Sequence, residues 1–358
     1  MQMVTQQSRR IRYRMCLISN FLLVLVMYLA APRAWAAGGP LDVYFIDVEG
    51  GQATLFVTPA RQSLLIDTGW PDNAGRDADR IVAAAKLAGL KKIDFVLLTH
   101  YHDDHSGGVP QLVERIPVGT FIDHGPNTET RPGSKSQQIE AAYKSVLATG
   151  KYKHIVPHPG DVLPIPGMKV TVISSDGHVI DHSLPGAGQA NESCSIKEDK
   201  PMDRSENPHS LGVLITFGKA KILDLGDLTW DKEHDFMCPN NLLGKVDVLV
   251  VSHHGFRPSS SHALVDAIHS RVAIMDNAQT KGGDVQVLDV VRKAPGLEAF
   301  FQLHYSEAGG AEHNTPLDDI ANPQGPDQGN YFLLKVSPKG GLSIFNSGNK
   351  TTKNFAMK

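Results

Sequence analysis

Residues 95–108 read Phe-Val-Leu-Leu-Thr-His-Tyr-His-Asp-Asp-His-Ser-Gly-Gly. The apolar start of this stretch predicts a buried strand that delivers the polar residues after it to a sheet edge. His100 and His102 are two positions apart, so in an extended segment they project to one side, roughly 6.6 Å apart along the chain. Asp104 and His105 follow as the chain turns into a helix. They could be surface residues at a turn, but this density of imidazoles and carboxylates favours a metal site.

The rest of the chain predicts one sheet-rich α/β domain. A length of 358 residues with 41% hydrophobic and 20% charged residues excludes a disordered chain, a fibre and a small disulfide-bonded knot. Strand-like runs fall into two sets with helix-like segments between them, which indicates two sheets covered by outer helices, an αββα sandwich. The strand-like runs are 41–48, 53–59, 63–68, 95–100, 169–174, 211–217, 220–227, 246–253, 271–277, 299–303, 331–337 and 341–345. The helix-like segments are 77–88, 107–116, 137–149, 260–270 and 285–293.

Two segments lie outside this periodic pattern. Residues 176–208 combine Gly, Pro, Ser and charged residues and predict a long loop of the kind that covers or binds a substrate. Residues 1–36 resemble a signal peptide, with arginines before an apolar stretch and Ala34-Trp35-Ala36 as a cleavage site. A retained membrane anchor is the alternative, but the apolar stretch is shorter than the roughly 20 residues that a span needs. We expect cleavage, a periplasmic or extracellular protein and a single domain over residues 37–358.

Charge and cysteine content narrow the expected partners. Loss of the five arginines in residues 1–36 changes the formal net charge from −3 to −8. Nucleic-acid binding rests on Lys and Arg residues that neutralise phosphates, and this chain is acidic. A nucleic-acid partner is therefore possible but not favoured, and we expect a small-molecule substrate. No stable membrane span is expected after cleavage. Cys194 and Cys238 remain, either as a disulfide or as two separate thiols.

The motif His100-x-His102-x-Asp104-His105 resembles the signature of the metallo-β-lactamase superfamily of metallohydrolases. Four further stretches come in the order expected for that family. They are Phe-Ile-Asp-Val-Glu-Gly-Gly-Gln-Ala at 45–53, Leu-Ile-Asp-Thr-Gly at 65–69, Leu-Gly-Asp at 225–227 and Val-Ser-His-His-Gly at 251–255. The set is similar to the branch that contains the ComEC-like hydrolase domain of competence proteins and the bacterial phosphorylcholine esterases. It covers most of residues 41–305.

This resemblance implies an αββα fold that holds two zinc ions at the edge of the sandwich, with manganese or iron as other possible metals. The implied ligands are His100, His102 and His209 for the first ion, Asp104, His105 and His253 for the second, and Asp227 as the bridge between the ions. Asp67 is expected to be a buried acceptor that orients the region around His100.

Two of these assignments have alternatives. His209 either binds zinc or lies in a variable position of a loop that Asn207 and Ser210 shape. His253 and His254 are adjacent, and neighbouring residues of a strand point to opposite sides. We therefore expect His253 to be the ligand and His254 to be a proton donor or a support for the ligands.

The implied chemistry is hydrolysis. Two zinc ions lower the pKa of a bridging water towards about 7, so that hydroxide is the nucleophile. Asp104 or Asp227 would move the proton, and His254 would protonate the leaving group. The resemblance favours a phosphoester or phosphodiester substrate. Hydrolysis of a lactone or β-lactam is the alternative reaction, and a non-catalytic zinc-binding module is the alternative to an enzyme.

Overall fold

Two nine-stranded sheets form the body of the protein in a computed structural model that describes residues 38–129, 131–325 and 327–357. The strand order of the first sheet is β20 (Thr352–Phe355), β19 (Leu342–Asn346), β18 (Phe332–Val336), β1 (Leu41–Phe45), β2 (Thr54–Val57), β3 (Ser63–Ile66), β4 (Ile93–Leu97), β5 (Val118–Ile122) and β6 (Lys153–Ile155). The second sheet runs β17 (Ile320–Asn322), β16 (Ala299–His304), β15 (Val272–Met275), β14 (Val248–Val250), β12 (Ala220–Asp224), β11 (Gly212–Phe217), β8 (Lys169–Ser175) and β7 (Val162–Leu163), and β9 (His178–Val179) pairs with β8. A separate ribbon joins β10 (Gln189–Ala190) to β13 (Asn240–Asn241).

Both sheets are mixed, and each contains a parallel block. In the first sheet β3, β4, β5 and β6 are parallel neighbours. In the second sheet β12, β14, β15, β16 and β17 are parallel neighbours. The strands of a parallel block end at one edge of their sheet, so residues that follow these strands are brought together there even when they are far apart in sequence.

Alternating side chains along the strands build the core. In β1, Val43 and Phe45 face the second sheet and contribute to the apolar layer between the sheets, to which Val172 and Ile215 also belong. Tyr44 points the other way and packs in the layer under the helices. This period of two is what a strand with both faces covered requires. Full burial of an aliphatic or phenyl side chain here contributes about 1.5–3 kcal/mol to the free energy of unfolding.

Helices cover the outer faces of both sheets. The helices in the described residues are α1 (Arg76–Leu87), α2 (Asp103–Ser106), α3 (Val109–Arg115), α4 (Lys135–Leu147), α5 (Trp230–Met237), α6 (His262–Val265), α7 (Val285–Arg292) and α8 (Gly310–His313). Apolar residues of α1, α3 and α4 pack on the first sheet, and those of α5, α6 and α7 pack on the second. The predicted αββα sandwich is confirmed. None of the helices in the described residues is both long and apolar enough to span a bilayer.

The element bounds differ from the predicted ones mainly where a strand leads into a loop. The run 220–227 is a strand only to Asp224, and 246–253 is a strand only over Val248–Val250. Only residues His262–Val265 of the predicted helix 260–270 are helical, as α6, and the hydrophobic pattern does not predict α5. In each shortened strand the polar residues at its carboxyl end leave the ladder and turn toward the sheet edge.

Residues 176–208 form the expected loop, with only short strands and 3₁₀ turns in it. Cys194, in the 3₁₀ turn Glu192–Ser195, is joined by a disulfide to Cys238, which directly follows α5. The disulfide therefore fastens the middle of this loop to the outer helical layer of the second sheet. The described residues from Gly38 onward form one compact unit. The predicted signal peptide lies outside the described residues.

Loss of this disulfide should lower stability. The two cysteines are 44 residues apart, and closing a loop of this length in the unfolded chain is worth about 4 kcal/mol by the loop-entropy relation. We expect the Cys194→Ser/Cys238→Ser double variant to lose up to that amount in urea unfolding. Dithiothreitol should destabilise the wild type to the same extent and leave the variant unchanged. An equal effect of reductant on both proteins would contradict the prediction.

Candidate metal centre

The polar residues of the central motif lie where strands of both sheets end. In the first sheet β4 ends at Leu97, and His100 and His102 follow before α2 begins. In the second sheet Asp227 follows β12, and His254 lies in a 3₁₀ turn directly after β14. Each sheet therefore supplies part of one cluster at the edge of the sandwich.

Four buried side chains form the first group of potential ligands, here called the Asp104 group: Asp104, His105, Asp227 and His254. His105 Nε2 lies 3.0 Å from His254 Nε2, 3.2 Å from Asp227 Oδ2 and 3.4 Å from Asp104 Oδ2. His254 Nε2 lies 3.1 Å from Asp104 Oδ2. Imidazole nitrogens and carboxylate oxygens that face one point are the donors that zinc and related cations prefer.

Carboxylates behind the two rings determine which ring nitrogen faces the group. His105 Nδ1 is 2.7 Å from Asp67 Oδ2, and His254 Nδ1 is 3.2 Å from Asp276 Oδ1. Because a carboxylate oxygen accepts hydrogen bonds, each Nδ1 carries a hydrogen, and Nε2 is the ring nitrogen that faces the group and would bind a cation. The Thr99 hydroxyl also donates to Asp67 Oδ2, at 2.6 Å. Asp67 is thus a fully buried acceptor whose imidazole partner is His105.

A second group, here called the His100 group, consists of His100, His102 and Asp227. His100 Nε2 lies 3.0 Å from His102 Nδ1 and 3.8 Å from Asp227 Oδ2. On its other side His102 Nε2 is 3.4 Å from Glu129 Oε1. The expected same-side projection of the two imidazoles is what the structure has, and Asp227 belongs to both groups.

The shared carboxylate of Asp227 has unused capacity to bind a cation. Its side chain is 3% exposed, and its Oδ1 atom has no hydrogen-bond partner among the described residues. A buried carboxylate oxygen left without a partner is costly unless a cation or a water compensates it. The donor set and this oxygen therefore fit the binding of a cation, and Asp227 could contribute to either group.

Charges within the Asp104 group keep its carboxylates ionised. Burial alone would raise the pKa of Asp104, but Lys281 and His105 hold that pKa well below its usual range. Burial alone would lower the pKa of His105, but the surrounding carboxylates, with Asp227 the strongest, raise it well above its ordinary value. Without a cation, the buried negative charge is balanced by protons on imidazoles, and a bound metal ion would replace those protons.

The structure places His254, and not His253, in the Asp104 group. The alternation of side chains along a strand does not apply here, because β14 ends at Val250 and both histidines lie in a tight turn, with φ of 57° at His253 and 53° at His254. Left-handed backbone at non-glycine residues costs about 1–3 kcal/mol each, which the packing around the site must offset. His253 instead lies beside the groups, with Nε2 3.5 Å from Asp227 Oδ2 and 3.3 Å from Asn207 Nδ2.

His209 does not join either group. Its ring is 29% exposed and its Nδ1 lies 3.4 Å from Asp176 Oδ1, so it faces the start of the long loop. Asn207 and Ser210 are buried, and Asn207 Nδ2 also donates to Asp203 at 2.7 Å. The structure thus favours the alternative in which these residues shape the loop, with Asn207 close to the site.

Residues 46–191, which include the His-x-His-x-Asp-His motif, match the family model for the metallo-beta-lactamase superfamily. The chain contains a metallo-beta-lactamase superfamily domain. Its two large mixed sheets with outer helices are consistent with the fold of that superfamily. Asp227 and His254 lie beyond the matched residues, and their placement in the cluster comes from the structure.

Several curated relatives match this chain over only part of their own length. The chain is 26% identical over 235 residues to Recombination protein 2 of Haemophilus influenzae, which covers 65% of this chain and 24% of the relative. It is 24% identical over 251 residues to ComE operon protein 3 of Bacillus subtilis, a match that covers 65% of this chain and 28% of the relative. It is 28% identical over 92 residues to hydroxyacylglutathione hydrolase of Idiomarina loihiensis, a match that covers 26% of this chain and 28% of the relative. The matched region spans about a quarter of each of these relatives.

The sequence did not identify several residues that lie near the candidate metal centre. Asp276 follows β15, Glu129 lies in the loop after β5, and Lys281 contacts Asp104 from a loop 177 residues away. Buried Glu206 accepts a hydrogen bond from His124. Burial alone would raise the pKa of Glu206, but this partner helps to lower it to about 2. The one usable signal was the position of Asp276 just after an apolar strand of a parallel block.

Metal content should distinguish the two adjacent histidines. Because His254 Nε2 faces Asp104 and His105, we expect His254→Ala to reduce bound metal from about two ions per chain to about one. His253→Ala should keep both ions, as should the control His313→Ala, whose ring pairs with Asp289. Metal per chain is measured by inductively coupled plasma mass spectrometry after dialysis. Loss of metal from His253→Ala alone would restore the assignment made from the strand pattern.

Proposed function

We propose that the protein is a dinuclear metal-dependent hydrolase of small molecules that carry a phosphoester or phosphodiester bond. The observation that carries the metal-dependent part is the pair of potential ligand groups that share the buried Asp227. The choice of bond rests on the resemblance of the motifs to ComEC-like hydrolase domains and phosphorylcholine esterases. Similarity to ComE operon protein 3 over 65% of the chain supports that resemblance.

The residues that would hold the ions follow from the two groups. His100, His102 and Asp227 would hold one ion, and Asp104, His105, His254 and Asp227 would hold the other. When bound, two such cations lower the pKa of a coordinated water and offset the negative charge that develops on the substrate. Zinc is the metal we propose, and the same nitrogen and oxygen donors also suit manganese or iron.

The remaining task of the protein is to hold and move protons. Both nitrogens of His254 face carboxylates, Nδ1 toward Asp276 and Nε2 toward Asp104, so its ring is committed to the ligand group. His253 is the imidazole beside the groups that this commitment leaves available, and its Nε2 accepts a hydrogen bond from the Asn207 amide at 3.3 Å. We propose that Nε2 releases Asn207 and takes up a proton before it protonates the leaving group. The carboxylates of Asp104 and Asp227 can accept the proton that the nucleophile loses.

A second candidate function is hydrolysis at a carbonyl carbon. The match to hydroxyacylglutathione hydrolase favours it, since that relative is named for cleaving an acyl compound. The sequence-based alternative of a lactone or β-lactam substrate belongs to the same class. A two-metal site stabilises developing oxyanions of carbonyl and phosphoryl centres alike, so the ligand geometry does not choose between the two reactions.

A substrate panel tests the proposal. Zinc-loaded wild type should hydrolyse bis-p-nitrophenyl phosphate faster than an acyl-homoserine lactone or nitrocefin. Asp227→Asn, which weakens both ligand groups at once, should abolish the hydrolysis, and so should a chelator. Turnover of only the lactone or nitrocefin would overturn the phosphoester proposal in favour of the second candidate. A protein that binds two ions and hydrolyses none of the three would be a non-catalytic metal-binding module.

We also propose that the protein is exported, as the pattern of residues 1–36 predicts. The disulfide between Cys194 and Cys238 supports this location, because structural disulfides persist in oxidising compartments. N-terminal sequencing of the protein from the periplasm or the medium should begin at Ala37. A chain that retains Met1 and sediments with membranes would instead support the anchor alternative. The double serine variant is the control, since its processing should be unchanged.

A further inference from the structure

Lys281 extends into the edge of the metal centre from the loop that follows β15. Its Nζ donates to Asp104 Oδ2 at 2.6 Å and to the backbone carbonyl of Gly50. The ammonium also lies 5.3 Å from the centre of the Trp70 ring and 5.7 Å from that of the Phe256 ring. Two aromatic faces and two oxygen atoms therefore hold one cation beside the Asp104 group.

The Lys281 ammonium is partly exposed to solvent, and one of its hydrogen-bond donors is unused in the part of the chain that the structure describes. The Lys281 side chain is 27% exposed. A lysine ammonium carries three N–H donors, and only two have hydrogen-bond acceptors among the described residues. The third is available to an oxygen atom of a bound molecule.

Close backbone packing fixes the loop that carries Lys281. The Gly283 N–H donates to the carbonyl of His254 at 2.9 Å, and the Ala278 N–H donates to that of Lys281 at 2.9 Å. A Cβ atom at Gly282, where φ is +72°, would lie 2.2 Å from the His254 carbonyl oxygen. The lysine is thus positioned relative to the turn that carries His254, which makes it a preorganised group rather than a mobile surface side chain.

We infer that Lys281 binds an anionic oxygen of the substrate and so selects compounds that carry a negative charge beside the bond to be cleaved. The inference deepens the proposed function and rests on it. A phosphodiester has a suitable oxygen on the reacting phosphorus, whereas a neutral lactone has none. The flanking rings of Trp70 and Phe256 keep the ammonium partly desolvated, which strengthens its interaction with an anion.

Pairing with Asp104 alone is the competing explanation for these contacts. In that case Lys281 only balances the charge of a metal ligand, and its removal would change metal content without changing anion affinity at equal metal occupancy. Lys135 offers a matched control, because its Nζ lies 3.8 Å from Asp103 in the same motif, but its side chain is 54% exposed and pairs outside both ligand groups.

Binding of inorganic phosphate to the metal-loaded protein tests the inference without requiring turnover. Isothermal titration calorimetry should show that Lys281→Met raises the Kd for phosphate by about 10- to 100-fold at unchanged metal content, as expected for loss of a charged hydrogen bond. Lys281→Arg should retain part of the affinity, and Lys135→Met should match the wild type. Metal per chain is measured on the same samples.

The outcomes separate this inference from the proposed function. An unchanged Kd in Lys281→Met, or loss of metal with unchanged affinity per occupied site, would overturn the role of Lys281. Absence of phosphodiester hydrolysis in the wild type would overturn the proposed reaction and leave the binding result interpretable. If Lys281 binds the anion and the wild type hydrolyses phosphodiesters, the KM for bis-p-nitrophenyl phosphate should rise in Lys281→Met by about the same factor as the Kd for phosphate.

Discussion

Charge balance around the buried carboxylate of Asp227 governs how this edge of the molecule is built. Its oxygens lie within 3.6 Å of imidazole nitrogens of His105, His253 and His254, and one oxygen has no hydrogen-bond partner among the described residues. Two imidazole lone pairs only 3.0 Å apart would repel each other without a cation or a shared proton between them. The carboxylates next to the Nδ1 atoms of these rings, Asp67 among them, keep each Nε2 pointing into the cluster.

This cluster exists only when the sandwich is assembled. The first sheet supplies the His-x-His-x-Asp-His motif, and the second supplies Asp227 and His254. Neither sheet holds all members of either group of potential ligands, so the apolar layer between the sheets sets the distances within the cluster. Metal binding should in turn stabilise the packed state, because the unfolded chain cannot present both halves together.

Much of this arrangement could be read from local patterns, and the errors have specific causes. The motif from His100 to His105 is compact, and a strand followed by a turn places its members together whatever the rest of the chain does. The choice between His253 and His254 depended on where β14 ends and on two left-handed residues, which no spacing rule reveals. His209 had suitable chemistry and position in the chain, but its ring pairs with Asp176 instead.

The sequence by itself determined the fold class and the grouping of His100, His102, Asp104 and His105, because strand periodicity and close spacing are local properties. The choice of Asp227 as their common partner came from the family resemblance of its motif. Only the tertiary structure decided which of two adjacent histidines faces the Asp104 group, and that Lys281 contacts Asp104 across 177 positions. Those outcomes depend on loop conformation and on the packing of one sheet edge against the other. Such contacts are set by the whole fold, so no short stretch of residues encodes them.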